Sequence, residues 1–303
     1  MTEMTILQQK IQAFLPDILL SFHEPMAKHT SFRIGGPAEV MAFPKTAEEL
    51  AKIMKTSKVL DITPVILGAG TNVLAPDAGM TGLVVCLKGC LDRMERLDET
   101  TVYVQAGATM TRAAVFAAEL GLSGLEFAHG IPGTVGGGVY MNAGAYGGEI
   151  CQVCDYVDVM DPQGEVRRMT KEQMGFRYRH SVLEDEAGIV IGAAFRLEPK
   201  PVQEIRERMR ELQAKRSASQ PLDKPSAGSA FKRPVGGYAA ALIDRSGLKG
   251  FRVGDAAISE KHAGFAVNLG SATAEDVKAL LRQVSDKVYA DSGIRLEPEV
   301  RIW

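Results

Sequence analysis

The chain has 303 residues, of which 46% are hydrophobic and 24% charged, and its formal net charge is -2. That length exceeds the usual single core and predicts two or three packed units. Near-neutral charge, with basic residues spread along the chain, argues against a nucleic-acid partner, and no apolar stretch is long enough to span a bilayer.

Residues 1–20 carry Glu3, Gln8, Gln9, Gln12 and Asp17 among apolar positions. That pattern predicts a short amphipathic helix rather than a signal peptide, so a cytoplasmic enzyme is the expected class. A loop with His29-Thr-Ser-Phe-Arg-Ile-Gly-Gly36 follows, then a short strand at 40–43. Thr46-Ala-Glu-Glu49 has the form of a capping box and opens a helix. Residues 61–67 read as a strand delivering Leu67-Gly-Ala-Gly-Thr-Asn-Val-Leu74. Further strands are expected at 83–87 and 101–105, with an Ala-rich helix at 111–119 ended by Gly121. After a long glycine segment, strands at 156–160, 166–169 and 189–197 complete a β-rich half.

Glu198-Pro-Lys-Pro201 looks like a boundary. Beyond it Val202, Ile205, Met209 and Leu212 recur at helical spacing, as in a solvated helix with one apolar stripe. The remainder reads as a helix at 238–244, strands at 256–258 and 264–269, a helix at 273–290 capped by Thr273, and a strand at 299–302. Such an order predicts an α+β fold. It divides into an N-terminal helix at 1–24, a larger domain at 25–198 with two subdomains split near residue 86, and a smaller α+β domain at 199–303.

Four cysteines stand at 86, 90, 151 and 154. Cys151-Gln-Val-Cys154 has redox-motif spacing, but it lacks Pro or Gly between the thiols and a helix start after them. Cys86 lies in a buried-strand pattern, where a free thiol acts as a small hydrophobe. Packing is the expected role, and no metal site is expected from these residues or from the scattered histidines.

The most informative stretch is Gly-Ile-Pro-Gly-Thr-Val-Gly-Gly-Gly-Val-Tyr-Met-Asn-Ala-Gly-Ala-Tyr-Gly-Gly, residues 130–148. Glycine costs about 1 kcal/mol relative to Ala inside a helix, so this segment is expected to be irregular. Glycine serves where backbone must approach a ligand or φ must be positive, and an uncharged segment holds an anion through backbone dipoles. Together with residues 67–74, it suggests an extended ligand with a central pyrophosphate. Gly68-x-Gly70 lacks the third glycine of a dinucleotide fingerprint, since Val73 stands there and Pro76 soon interrupts any helix. No Walker lysine follows either loop.

These two segments resemble the flavin-binding signature of the UDP-N-acetylenolpyruvoylglucosamine reductase family. The glycine loops alone resemble the wider fold of FAD proteins related to vanillyl-alcohol oxidase, the PCMH type. Phe176-Arg-Tyr178-Arg179-His-Ser181, Gly228-Ser229-Ala-Phe-Lys232-Arg-Pro234 and Pro298-Glu299-Val300-Arg301 narrow it, in the family's order and across both domains. The length resembles the smaller subclass, which lacks a substrate-covering insertion. The resemblance implies reduction of an enolpyruvyl double bond by NADPH through FAD, giving UDP-N-acetylmuramate for peptidoglycan synthesis. No membrane insertion and no obligatory protein partner are expected. Leu67–Leu74 holds no histidine, so the flavin is expected to be dissociable.

Three catalytic residues follow from the resemblance. Arg179 would grip the substrate carboxylate with a permanently charged fork. Ser229 would donate a proton, helped by developing carbanion basicity. Glu299 would donate a proton or stabilise the enol form, a role that calls for a pKa raised by burial. Tyr178 and Lys232 are carried over as substrate binders. Gly68, Gly70, Thr71, Asn72, Gly130, Ile131, Gly133, Thr134, Gly137, Asn142 and Gly144 are carried over as flavin binders, with Arg33 as a weaker candidate. His129 stands where the family usually has a small residue, and Arg233 where many members have Asn. The competing expectation is an FAD-dependent oxidase or dehydrogenase of a sugar or hydroxy acid, which shares the glycine loops but has no need of Arg179, Ser229 and Glu299 together. A non-catalytic flavin or UDP-sugar binder is a third.

Overall fold

The computed structural model describes residues 3–303. It forms two compact units. The first takes the chain up to Phe22, Val40–Ala69 and Gly82–Lys215; the second takes His23–Glu39, Gly70–Thr81 and Arg216–Trp303.

In the first unit, the N-terminal helix is shorter than the expected 1–24 segment, of which residues 1 and 2 lie outside the described residues. It spans Ile6–Phe14 behind a capping box in which Thr5 Oγ accepts from the Gln8 N–H and Gln8 Oε1 from the Thr5 N–H. Pro16 stops it, because the residue before a proline is driven out of helical geometry; the strand that follows, Leu19–Pro25, belongs to the first unit as far as Phe22. Helix Ala47–Val59 begins at Thr46, whose hydroxyl accepts from the Glu49 N–H. Ile11, Leu15, Val40, Leu50, Ile53 and Val85 belong to one core. Val102, Val104, Ala113, Ala117, Val157, Phe195, Ile205 and Met209 belong to another.

The second of these cores packs on a five-stranded antiparallel sheet. Its order is Val166–Thr170, Cys154–Met160, Ile189–Arg196, Thr101–Gln105, Met94–Arg96. A split near residue 86 is therefore too simple. Met160, Ile189 and Ile191 feed the first core while Val190, Ala193 and Phe195 feed the second: successive side chains of a strand leave opposite faces, and the register shift between Asp158 and Val159 reverses the phase past Ile191.

Two further expectations are corrected. Helix Val202–Ser219 belongs to the first unit as far as Lys215, since its stripe of Ile205, Met209 and Leu212 is buried. The boundary thus falls near 215 rather than 198. The glycine segment also contains a helix, Val135–Tyr140. Its glycines answer to space rather than to flexibility. A Cβ on Gly136 would stand 2.8 Å from the Ala106 Cβ, and one on Gly138 would stand 2.6 Å from the Met110 sulfur. Close packing outweighs the poor helix propensity of three glycines.

The second unit holds an antiparallel sheet ordered Ser226–Ser229, Phe265–Asn268, Ala256–Ile258, Arg252–Val253, with helices Ala239–Arg245 and Ala274–Ser292. Residues 23–39 and 70–81 join it because Phe32, Ile34 and Leu74 lie in its core with Phe231, Ile243, Leu280 and Val300. Val73–Leu74 pairs in parallel with Arg301–Ile302. Asp77 accepts from the N–H groups of Ala274 and Glu275, at 2.7 and 3.2 Å, and so caps the long helix.

Cys86 and Cys154 are buried. Burial pushes the Cys154 thiol up to about 12, so it stays protonated and unreactive at neutral pH.

The helix within the glycine segment makes a stability prediction. Gly136→Ala forces a methyl against the Ala106 Cβ and is expected to cost about 1–3 kcal/mol. Gly138→Ala meets the flexible Met110 side chain and is expected to cost less. Chemical denaturation of both variants checks the order; equal or increased stability at 136 would contradict the packing.

Candidate active site

Strand Val65–Leu67 pairs in parallel with Met80–Cys86 and ends at Gly68. A Cβ on Gly68 would lie 2.7 Å from Thr134 Oγ. The two glycine segments, far apart in sequence, therefore meet within the first unit. Thr134 is buried there and its hydroxyl caps the Gly137 N–H. Gly130 and Gly133 both hold positive φ, 82° and 140°.

The backbone donors divide into two groups. The N–H groups of Gly130, Ile131, Val135, Gly136 and Gly137 donate within the protein, to Thr111 Oγ, Ala128 O, Ala108 O, Ala106 O and Thr134 Oγ. Those of Gly68, Ala69 and Gly70 donate to no acceptor among the described residues. Residues 130–137 shape this cradle, and Gly68 and Ala69 carry the donors that suit an anionic ligand. Gly70 keeps φ of +62°, and a Cβ there would be 2.1 Å from the His29 carbonyl oxygen. An uncharged, glycine-lined cradle with open backbone donors fits a flavin nucleotide.

Arg179 sits at the tip of a tight turn. The Arg177 N–H donates to His180 O and the His180 N–H to Arg177 O, at 3.0 and 3.2 Å. Arg179 has φ of +54°, the third position of a type II pattern where glycine is usual. A side chain held there costs ~1 kcal/mol or more, which points to a placed group. Its Nη2 donates to Gly144 O at 3.0 Å, and its guanidinium stands 5.1 Å from the centre of the Tyr178 ring. Tyr178 is half exposed. Ser181, fully buried, donates to Tyr140 O at 2.7 Å and fastens the turn's far end. The signal for Ser181 in the sequence is its place in the same motif as Arg179.

In the second unit, Ser229 ends strand Ser226–Ser229 beyond a register shift at Gly228, whose φ is +76°. The Glu299 N–H donates to Ala230 O at 3.0 Å, and Phe231 bridges Pro298. Ser229 and Glu299 are thereby carried on paired backbone. Asn72 joins them: its Nδ2 donates to Glu299 O at 3.2 Å, and its own carbonyl accepts from the Arg301 N–H. Glu299 is half-buried and Ser229 exposed. Lys232 pairs with Glu297 at 2.5 Å and is itself half-buried. Arg233 lies over the Tyr238 ring at 4.1 Å, so this departure from the family pattern is held by an aromatic neighbour. Arg33 is exposed. Arg216 is buried near the end of its helix, on a stretch whose sequence predicts a solvated face.

Comparison with known proteins bears on both units. Residues 38–170 match the FAD binding domain, and residues 220–303 match the UDP-N-acetylenolpyruvoylglucosamine reductase, C-terminal domain. The chain is 45% identical to the UDP-N-acetylenolpyruvoylglucosamine reductase of Agathobacter rectalis, over 95% of each chain. It is 43% identical to that of Lactococcus lactis subsp. cremoris, over 95% of this chain and 96% of the relative. The crystal structure of the Thermus caldophilus UDP-N-acetylenolpyruvylglucosamine reductase superposes with a TM-score of 0.79 at 36% identity, covering 94% of this chain and 98% of that one. With a glycine-lined cradle in one unit, an Ala230–Glu299 backbone pairing next to Ser229 in the other and these relatives end to end, the chain belongs to the UDP-N-acetylenolpyruvoylglucosamine reductase family.

Proposed function

We propose that this protein reduces the enolpyruvyl double bond of UDP-N-acetylglucosamine enolpyruvate, giving UDP-N-acetylmuramate for peptidoglycan synthesis, with NADPH as the reductant. The observation that carries this reading is the backbone pairing of Ala230 with Glu299, which places Ser229 and Glu299 one residue apart across paired chains. An oxidase would have no use for that arrangement in a chain that also carries the Arg179 motif.

The Gly68 and Ala69 N–H groups and the Thr134 side of the cradle would hold FAD, which would supply the hydride for the terminal carbon of the double bond. Charge then develops on the adjacent carbon and its carboxylate. Arg179 meets that charge with a planar, always protonated fork, and preorganised charge of this kind is usually the largest catalytic contribution. To reach a substrate carboxylate its Nη2 exchanges the Gly144 carbonyl for a stronger, ionic acceptor. Ser229 delivers the proton to the adjacent carbon, so that hydride plus proton saturate the bond. Glu299 supports the enol form and returns the proton to the serine. Lys232 leaves Glu297 for a diphosphate oxygen, and Tyr178 lies against the nucleotide. Asn72 holds the Glu299 backbone in this scheme. Among the described residues no helix is long and apolar enough to cross a membrane. A soluble nucleotide-sugar substrate and free thiols suit the cytoplasm.

Two predictions separate the roles. In Ser229→Ala, flavin reduction by NADPH should stay near the wild-type rate while reoxidation by the enolpyruvyl sugar slows about 10²–10⁴-fold. Equal loss in both half-reactions would contradict a proton-donor role. Lys232→Ala should raise KM for the UDP-sugar with kcat little changed, the pattern of lost uniform binding; a fall in kcat at unchanged KM would count against it.

A further inference from the structure

Asn142 was expected to bind flavin, yet its hydrogen-bonding capacity is largely spent elsewhere. Its side chain is almost fully buried, and its backbone holds φ of +43°. Nδ2 donates to Glu149 Oε2 at 3.2 Å and to Arg177 O at 3.1 Å, while Oδ1 accepts from the Cys151 N–H at 2.9 Å. A carboxylate and a carbonyl both need donors and an N–H needs an acceptor, so this network admits one orientation of the amide. Both amide hydrogens are committed, which leaves none for a flavin.

The network closes on Arg179. Arg177 O, the acceptor of Asn142, also accepts from the His180 N–H and so anchors the turn that presents Arg179. Glu149 lies directly opposite Gly144 in the short hairpin of Gly144–Ala145 with Gly148–Glu149. Gly144 O is the group on which Arg179 Nη2 rests. Asn142 thus ties together the base of the turn and the strand that receives the guanidinium. Glu149 is held in place by a second donor, the Cys151 thiol, at 3.3 Å.

We propose that Asn142, backed by Glu149, is a positioning residue that sets the Arg179 guanidinium for the substrate carboxylate, and is not a flavin ligand. The inference rests on Arg179 being the carboxylate-binding group. A misplacement near 1 Å from such a change can cost about 100-fold in rate.

Asn142→Asp tests it, because Asp keeps the size and tolerates positive φ but has no hydrogen to give Arg177 O. Asn142→Asp with Glu149→Gln serves as the second variant: it removes the clash of two carboxylates and rebuilds the 142–149 hydrogen bond, still leaving Arg177 O unserved. In stopped-flow half-reactions, both variants should keep the wild-type flavin spectrum and reduction by NADPH within about twofold. Reoxidation by the enolpyruvyl sugar should slow about 10–100-fold. Adding Asn142→Asp to Arg179→Ala should cost less than about threefold more, since the two act through one group. Loss of flavin, a shifted spectrum, equal slowing of both half-reactions, or full recovery in the double variant would overturn the proposal. If Arg179→Ala itself reoxidises at the wild-type rate, the reading of Arg179 fails instead. Failure of the positioning role shows differently, as a slow Arg179→Ala beside a fast Asn142→Asp.

Discussion

Contact without side chains is the constraint on which the first unit's site depends. Along residues 130–148 the chain runs so close to its surroundings that methyl groups are excluded at Gly136 by Ala106, at Gly144 by Glu149 and at Gly148 by Phe127. Such packing leaves little freedom, because interiors are already as dense as organic crystals. The segment is therefore a rigid template despite its composition. The flavin cradle and the Arg179 turn are both attached to it, one through Thr134 and Gly68, the other through Tyr140, Asn142 and Gly144.

A second theme is placement by backbone. Arg179 is presented by a turn whose ends are fixed by main-chain hydrogen bonds, and Ser229 and Glu299 are presented by paired chains. Salt bridges contribute little to this arrangement. Most of the ion pairs involve exposed partners, such as Arg93–Glu95 or Lys215–Glu211, and pairs of that kind are worth about 0–1 kcal/mol. Holding reactive groups on hydrogen-bonded backbone keeps the side chains free to exchange partners. Arg179 Nη2 donates to a neutral carbonyl, and Lys232 pairs with an exposed glutamate.

Much of this was legible in the sequence, for identifiable reasons. The strands at 101–105 and 166–169 and the helix from Thr273 follow from alternation and capping, which are local signals. The meeting of Gly68 with Thr134 was legible only as two segments of like character. The helix at Val135–Tyr140 was not, because its glycines are selected by neighbours distant in the chain. Nor was the passage of residues 23–39 and 70–81 into the second unit, since Phe32, Ile34 and Leu74 read as ordinary apolar residues until their partners are known. Asn142 shows the same limit at the site. Its identity marked it as functional, but its role depends on Arg177 and Glu149, which no spacing rule connects to it.

The most direct test of the central claim is the anaerobic flavin absorbance of the purified protein during sequential addition of NADPH and UDP-N-acetylglucosamine enolpyruvate. The account predicts bleaching by NADPH and full recovery of the oxidised spectrum with the enolpyruvyl sugar. Bleaching without recovery would keep the flavin cradle but contradict the substrate, and a protein that cannot be loaded with FAD would contradict the cradle itself.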